Sequence, residues 1–117
     1  FNSNFVNAKI RRIKYMIHII KNDNWDEALK AKKAVVDFSA EWCGPCKMLG
    51  PVLNELSEEM PEVEFYNADT DQNMQLAIKN GISSIPALFL LEDGKVKDTM
   101  VGFMPKEAVK DWINKAR

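Results

Sequence analysis

Soft metal ligands are scarce in this sequence: it has one histidine, His18, and two cysteines, Cys43 and Cys46. A closed zinc or iron–sulfur site draws about four such ligands, so a metal centre built by one chain is not expected. Two cysteines also exclude a disulfide scaffold. A single bridge across three residues closes so small a loop that it removes little chain entropy, and a purely structural bridge is disfavoured. Glycine and proline number five each, too few for a low-complexity or collagen-like chain. None of the glycines falls in a dinucleotide-binding loop, so no nucleotide cofactor is expected. No apolar run approaches roughly 18 residues, which excludes an apolar helix spanning a bilayer. Neither sign of charge dominates. A net charge of −1 gives the chain as a whole no attraction for DNA or RNA.

What is present fits one globular domain. The 117 residues are 46% hydrophobic and 28% charged, an ordinary balance for a chain able to bury its own core. The charge is unevenly distributed, however. Up to Lys21 there are five basic residues (Lys9, Arg11, Arg12, Lys14 and Lys21) and no acid, whereas the other 11 basic residues face 17 acids. Residues 1–14 are therefore expected to be an N-terminal extension, either a leader remnant, an expression artefact or a solvated tail without catalytic consequence. Met16 is a candidate start for the domain proper, and residues 15–117 form that domain.

Periodicity along the chain alternates between strand and helix. Tyr15–Ile20 is β-branched and apolar and reads as a strand. Trp25–Lys33 reads as a short helix with Trp25, Ala28 and Leu29 inward. Ala34–Ala40 is a nearly continuous apolar run, the pattern of a strand covered on both faces. From Gly44 the spacing becomes helical, with Leu49, Val52, Leu53, Leu56 and Met60 on one face. Pro45 suits a first helical turn. Pro51 is expected to kink this helix and Pro61 to end it. Val63–Ala68 reads as a strand, Asp71–Asn80 as a helix stopped by Gly81, and Ala87–Leu91 as a strand. Asp93-Gly94 predicts a hairpin turn into Val96–Val101. A final helix opens at Pro105, with Ala108, Val109, Trp112, Ile113 and Ala116 sharing a face. The order β-α-β-α-β-α-β-β-α implies an α/β fold. Its mixed five-stranded sheet has helices on both faces, right-handed parallel crossovers and an antiparallel terminal hairpin.

The chemistry gathers at Trp42-Cys43-Gly44-Pro45-Cys46-Lys47. The thiolate is the reactive form of cysteine, and Cys43 falls where a strand ends and a helix begins. Unpaired backbone N–H groups and the helix dipole favour an anion there. Cys46 follows at i+3, which turns its sulfur toward the first and lets the pair close a disulfide across one helical turn. Gly44 lets a substrate backbone approach, and Pro45 stiffens the turn. Two idle core cysteines remain the bland alternative.

At these residues the chain resembles the thioredoxin family. V-D-F-S-A-E-W-C-G-P-C-K, then Pro51, D-T-D-Q-N, G-I-S-S-I-P-A-L, D-G-K-V and V-G follow the family's order and spacing from about Tyr15 to Arg117. The resemblance implies the thioredoxin fold and a thiol–disulfide oxidoreductase that reduces protein disulfides, recharged by an NADPH-dependent reductase. The cysteine pair itself would carry the electrons, with no bound cofactor. Cys43 matches the nucleophile, expected to be the outer, exposed thiol, and Cys46 the resolving thiol further inside. Asp37, the odd polar residue in an apolar strand, matches a buried carboxylate that exchanges a proton with Cys46; an outward-facing Asp is the alternative. A lysine that often accompanies this aspartate is replaced by Asn67, so the charged form of Asp37 should lose support.

The resemblance further implies a cis bond at Pro86, against the alternative of a trans proline opening a strand. Ile85 would then pair with an extended substrate. Trp42, Gly44, Pro45, Ile85, Gly102 and Phe103 would form an apolar rim for transient docking. Ser39 stands where many bacterial members carry tryptophan. Lys47 is expected to favour the thiolate only slightly, and His18 to be structural. A monomer in the cytoplasm is the expected setting, with an exported or organellar enzyme as the alternative. Two other functions compete: an oxidase or isomerase, against which the Gly-Pro pair argues because thioredoxin-fold oxidants usually carry histidine there, and a non-catalytic docking subunit.

Overall fold

The computed structural model of the chain describes residues 17–115. Tyr15, Met16, Ala116 and the expected extension 1–14 lie outside the described residues. Five strands form one sheet: β1 (Ile17–Ile19), β2 (Lys33–Ser39), β3 (Glu64–Asp69), β4 (Ala87–Glu92) and β5 (Lys95–Val101). Four helices connect and cover them: α1 (Asp26–Lys30), α2 (Gly44–Glu59), α3 (Met74–Lys79) and α4 (Lys106–Lys115). The spatial order is β1-β3-β2-β4-β5. β1, β3 and β2 run parallel, and β4 and β5 antiparallel to their neighbours. The expected element order and mixed sheet are both present.

β2 lies at the centre of the sheet, which explains its apolar run. Ala34 to Phe38 are all buried because the strand has a helical layer on each side. Alternation then sorts the core into two halves. Val36, Phe38, Tyr66, Ala68, Phe89 and Leu91 meet Ala28 of α1 and Leu76 of α3. Val35, Phe65, Leu88 and Leu90 meet Leu49, Leu53 and Leu56 of α2 and Val109 and Ile113 of α4. Asp37 has the parity of Val35, so its side chain leaves the sheet on the α2 side.

Several boundaries differ from those read in the sequence. α1 stops at Lys30, because Lys33 already pairs with Glu92 in the sheet. Pro51 lies inside α2, where the sequence places it. The α3 region starts at Met74 rather than Asp71, because Asp69 Oδ1 accepts the N–H groups of Asp71 (2.8 Å) and Gln72 (3.1 Å) and winds a turn there instead. The Asp93-Gly94 hairpin is formed, with φ of 51° and 81° at its two residues. A Cβ at Gly94 would also stand 3.0 Å from the Leu29 carbonyl oxygen. The return strand carries an irregularity opposite Leu90 and Leu91.

One buried amide ties the loop after β1 to α3. Asn73 Nδ2 donates to the carbonyls of Ile20 and Asp69, each at 3.0 Å, and its Oδ1 accepts the Asp23 N–H at 2.9 Å. Asp23 Oδ1 in turn accepts the Leu76 N–H at 2.9 Å, capping α3 from 53 residues away. Asn73→Ala would remove three hydrogen bonds and strip the buried Ile20 carbonyl of this donor, whereas the Asp69 carbonyl keeps the backbone N–H groups of Gln72 and Asn73. Its expected cost is about 2–4 kcal/mol, read by urea denaturation of the oxidised protein; a loss below about 1 kcal/mol would show that water replaces the amide.

Candidate active site

The β2 strand ends at Ser39, the chain turns through Ala40-Glu41-Trp42, and α2 begins at Gly44. Cys43 is the N-cap of α2, in extended geometry, and its sulfur accepts the Cys46 N–H at 3.2 Å. A sulfur in that position receives one of the backbone donors that the first turn leaves unpaired, which favours its anionic form. Pro45 sits in the first turn, where its missing N–H leaves no gap in the helix. Cys43 and Cys46 are joined as a disulfide with their Cα atoms 5.2 Å apart. The i, i+3 placement on one turn therefore brings the two sulfurs together as the spacing required.

Their exposure departs from expectation. Cys43 is 5% exposed and Cys46 6%, so burial does not rank an outer and an inner thiol in the bonded state. Covalent contact is closer than any contact between two thiols, so each sulfur screens the other, and Ala40 and Ile85 cover the rest. What separates the two is their surroundings. Cys43 Sγ lies 3.9 Å from the Ile85 carbonyl oxygen. Cys46 borders a cleft of about 420 Å³ whose wall includes Asp37, Ser39, Lys47, Asn67 and Asp69.

Asp37 is buried, 3% exposed, which excludes the alternative of an outward-facing strand aspartate. Asn67 Nδ2 donates to its Oδ2 at 3.3 Å. Among the described residues its Oδ1 has no hydrogen-bond partner. Burial disfavours the charge and pushes the carboxyl up to about 7 from 3.8, with the Asn67 bond pulling it part of the way back.

The rim residues converge from three loops. Trp42 is 70% exposed, so it is not a core residue; Gly44 and Pro45 are exposed beside it. Ile85 and Pro86 come from the loop before β4, and their peptide bond is cis. Gly102, at φ 96°, donates its N–H to the Pro86 carbonyl at 2.8 Å, which brings the end of β5 to the same place. Phe103 follows it and is exposed. Lys47 is exposed on α2. His18 is distant from this assembly, in the edge strand β1. There it bonds Glu64 at 3.1 Å and its ring lies 4.9 Å from that of Tyr66.

Two features escaped the sequence reading. Asp71 Oδ2 accepts the Trp42 indole N–H at 3.0 Å and so orients the ring; the D-T-D-Q-N run held that signal without a stated role. The second is the Ser39–Asn67 bond of 2.8 Å. The two are diagonal neighbours on β2 and β3, and such a neighbour is invisible until the strands are paired.

The thioredoxin family model matches residues 16–115. The chain belongs to the thioredoxin family. A thioredoxin of Bacillus subtilis is 45% identical over 100 residues, which cover 83% of this chain and 96% of the relative. One from Mycoplasmoides gallisepticum is 40% identical over 99 residues, covering 84% and 99%. The crystal structure of Malassezia sympodialis thioredoxin superimposes with a TM-score of 0.76 at 33% identity, covering 86% of this chain and 90% of that one. The chain is accordingly a thiol–disulfide oxidoreductase whose redox group is the Cys43–Cys46 pair, working without a bound cofactor as thioredoxins do. Membership of the family carries protein disulfides as substrates and a reductase as partner. Among the described residues no helix is long and apolar enough to cross a membrane.

Proposed function

We propose that this thioredoxin works as a reductant of protein disulfides, with Cys43 as nucleophile, Cys46 as resolving thiol and Asp37 as the proton carrier. In the reduced protein the Cys43 thiolate attacks one sulfur of a substrate disulfide. The S–S bond breaks, a mixed disulfide forms, and the other substrate sulfur leaves as a thiolate that takes a proton from solvent. The Cys46 thiol then passes its proton to the Asp37 carboxylate across the cleft. The resulting Cys46 thiolate attacks the Cys43 sulfur, and the second substrate sulfur leaves. Two electrons have moved from the protein dithiol to the substrate, and the protein holds the disulfide seen in the structure. Recharging reverses these steps, and Asp37 returns its proton to the departing Cys46 sulfur.

The observation that supports this assignment best is the Cys46 N–H directed at Cys43 Sγ. It supports Cys43 as the sulfur stabilised as an anion, and the cleft shared with Asp37 supports Cys46 as the one that exchanges the proton. Trp42, Gly44, Pro45, Ile85, Pro86 and Gly102 would receive the substrate chain, with Phe103 beside them. The Ile85 backbone would pair with an extended segment of the substrate. An NADPH-dependent flavoprotein is the proposed reductase, since the chain carries no dinucleotide loop. The working unit is proposed to be a monomer, residues 15–117 forming the catalytic domain behind an extension at 1–14, in the cytoplasm, where two reserved thiols stay reduced.

The decisive measurement is the equilibrium potential of the Cys43–Cys46 couple against a glutathione or dithiothreitol series. A value well below that of an oxidising compartment is expected. One more positive than about −180 mV would make the chain an oxidant and end the reductant assignment.

A further inference from the structure

Asp37 and Asn67 are register partners in the parallel pairing of β2 with β3, so their side chains leave the same face of the sheet. Asn67 divides its amide hydrogens between two acceptors on β2. The shorter bond, 2.8 Å, goes to Ser39 Oγ and the longer, 3.3 Å, to Asp37 Oδ2. Asp37 Oδ1 is buried and has no partner among the described residues. The two oxygens of one carboxyl are therefore unequal. A donor aimed at Oδ2 disfavours a hydroxyl hydrogen on that atom, which favours Oδ1 as the protonated oxygen. Asp37 and Cys46 line the same cleft.

We propose that Asn67, anchored by Ser39, is a positioning residue for the exchange reaction: it orients the Asp37 carboxyl so that Oδ1 trades the proton with Cys46, and it sets the pH at which that trade occurs. This inference rests on the proton-carrying role given to Asp37 above. The amide is suited to that task by its weakness. A cation at position 67 would support the ionised form of Asp37 more strongly and lower the pH of the exchange. An apolar side chain would leave both oxygens bare and hinder uptake. A neutral donor whose stronger bond is spent on Ser39 supports the charged form without locking it. The other ionisable groups lining that cleft are Cys46 and Lys47 from α2, Glu41 from the preceding loop and Asp69 at the end of β3. From β4 the opposite residue is Leu88, which contributes no charge.

The test follows the Asp37 carboxyl by its ¹³C shift across a pH series in the oxidised protein, alongside the pH profile of disulfide reduction. Asn67→Ala removes the donor and is expected to raise the Asp37 midpoint by roughly half to one pH unit; Asn67→Lys is expected to lower it by at least as much. The activity profile should move with each, in opposite directions, which general damage to folding would not produce. Unmoved midpoints in both folded variants, or midpoints that move without the activity profile, would overturn the inference. Asp37→Asn separates it from the reading beneath it. If that variant keeps the wild-type pH profile, the proton-carrying role of Asp37 itself is wrong. If it flattens the profile while the Asn67 variants leave the midpoint in place, only the role of Asn67 falls.

Discussion

Cys46→Ser is expected to turn this thioredoxin from a catalyst into a trap. Serine keeps the backbone N–H that faces Cys43 Sγ, so the Cys43 anion retains its support and still attacks substrate disulfides. The hydroxyl at position 46 cannot resolve the mixed disulfide, because an alcohol is far less acidic and less nucleophilic toward sulfur than a thiol. Turnover should fall by on the order of 10³-fold or more, while a covalent adduct accumulates and dissolves on addition of dithiothreitol. Cys43→Ser should lose turnover to the same extent and form no adduct. Limiting alkylation of the reduced wild-type protein should label Cys43 first, since its sulfur is the one supported as a thiolate by a backbone N–H. An adduct through Cys46 in the Cys43→Ser variant, at a rate matching the wild type, would reverse the assigned order of the two sulfurs. Retained biological function in a Cys43→Ser, Cys46→Ser double variant would favour a docking role instead.

The parts of this molecule that the sequence discloses are those fixed by local chemistry. Cys43, Gly44, Pro45 and Cys46 declare a helix N-terminus because the turn, the proline and the change to helical spacing all act within a few residues. The central strand is legible from Val35-Val36-Asp37-Phe38, since only a strand covered twice can be that apolar. The short helices are read less well. α1 and α3 have five and six residues, too few for periodicity to locate their ends, and tertiary bonds decide them. Asp69 winds the turn before α3, and Asp23 caps it from a distant loop. The burial of Cys43 differs from expectation for another reason: residue type and position predict a thiol, and the structure holds a disulfide, in which each sulfur covers the other. Sequence spacing likewise carries no information on which oxygen of Asp37 is bare.

Asp37→Asn should stabilise the oxidised protein, and increasingly so as the pH rises. The wild-type carboxyl titrates near 3.8 when the chain is unfolded and at about 7 when folded. Between those values the folded state binds the additional proton. Stability from this group is therefore complete below about pH 4 and declines by about 1.4 kcal/mol per unit until the folded group ionises near pH 7. Above that the ionised carboxylate is buried with one weak donor, and the accumulated cost is about 4 kcal/mol. Asparagine cannot ionise, so its own stability stays level through this window as far as position 37 is concerned. The gap between variant and wild type should widen by about that amount between pH 4 and pH 8.5. The change in the gap is the informative quantity, because the fixed cost of placing an amide beside Asn67 cancels from it. Using the disulfide form keeps Cys43 and Cys46 from titrating. Urea denaturation at five or six pH values would show it, and parallel curves for the two proteins would mean that Asp37 is hydrated in the folded state and titrates as an ordinary carboxylate. The same substitution should slow disulfide reduction by about 10²-fold, as loss of a proton acceptor does. Higher stability with lower activity is the signature of a charge placed where folding disfavours it and the reaction requires it.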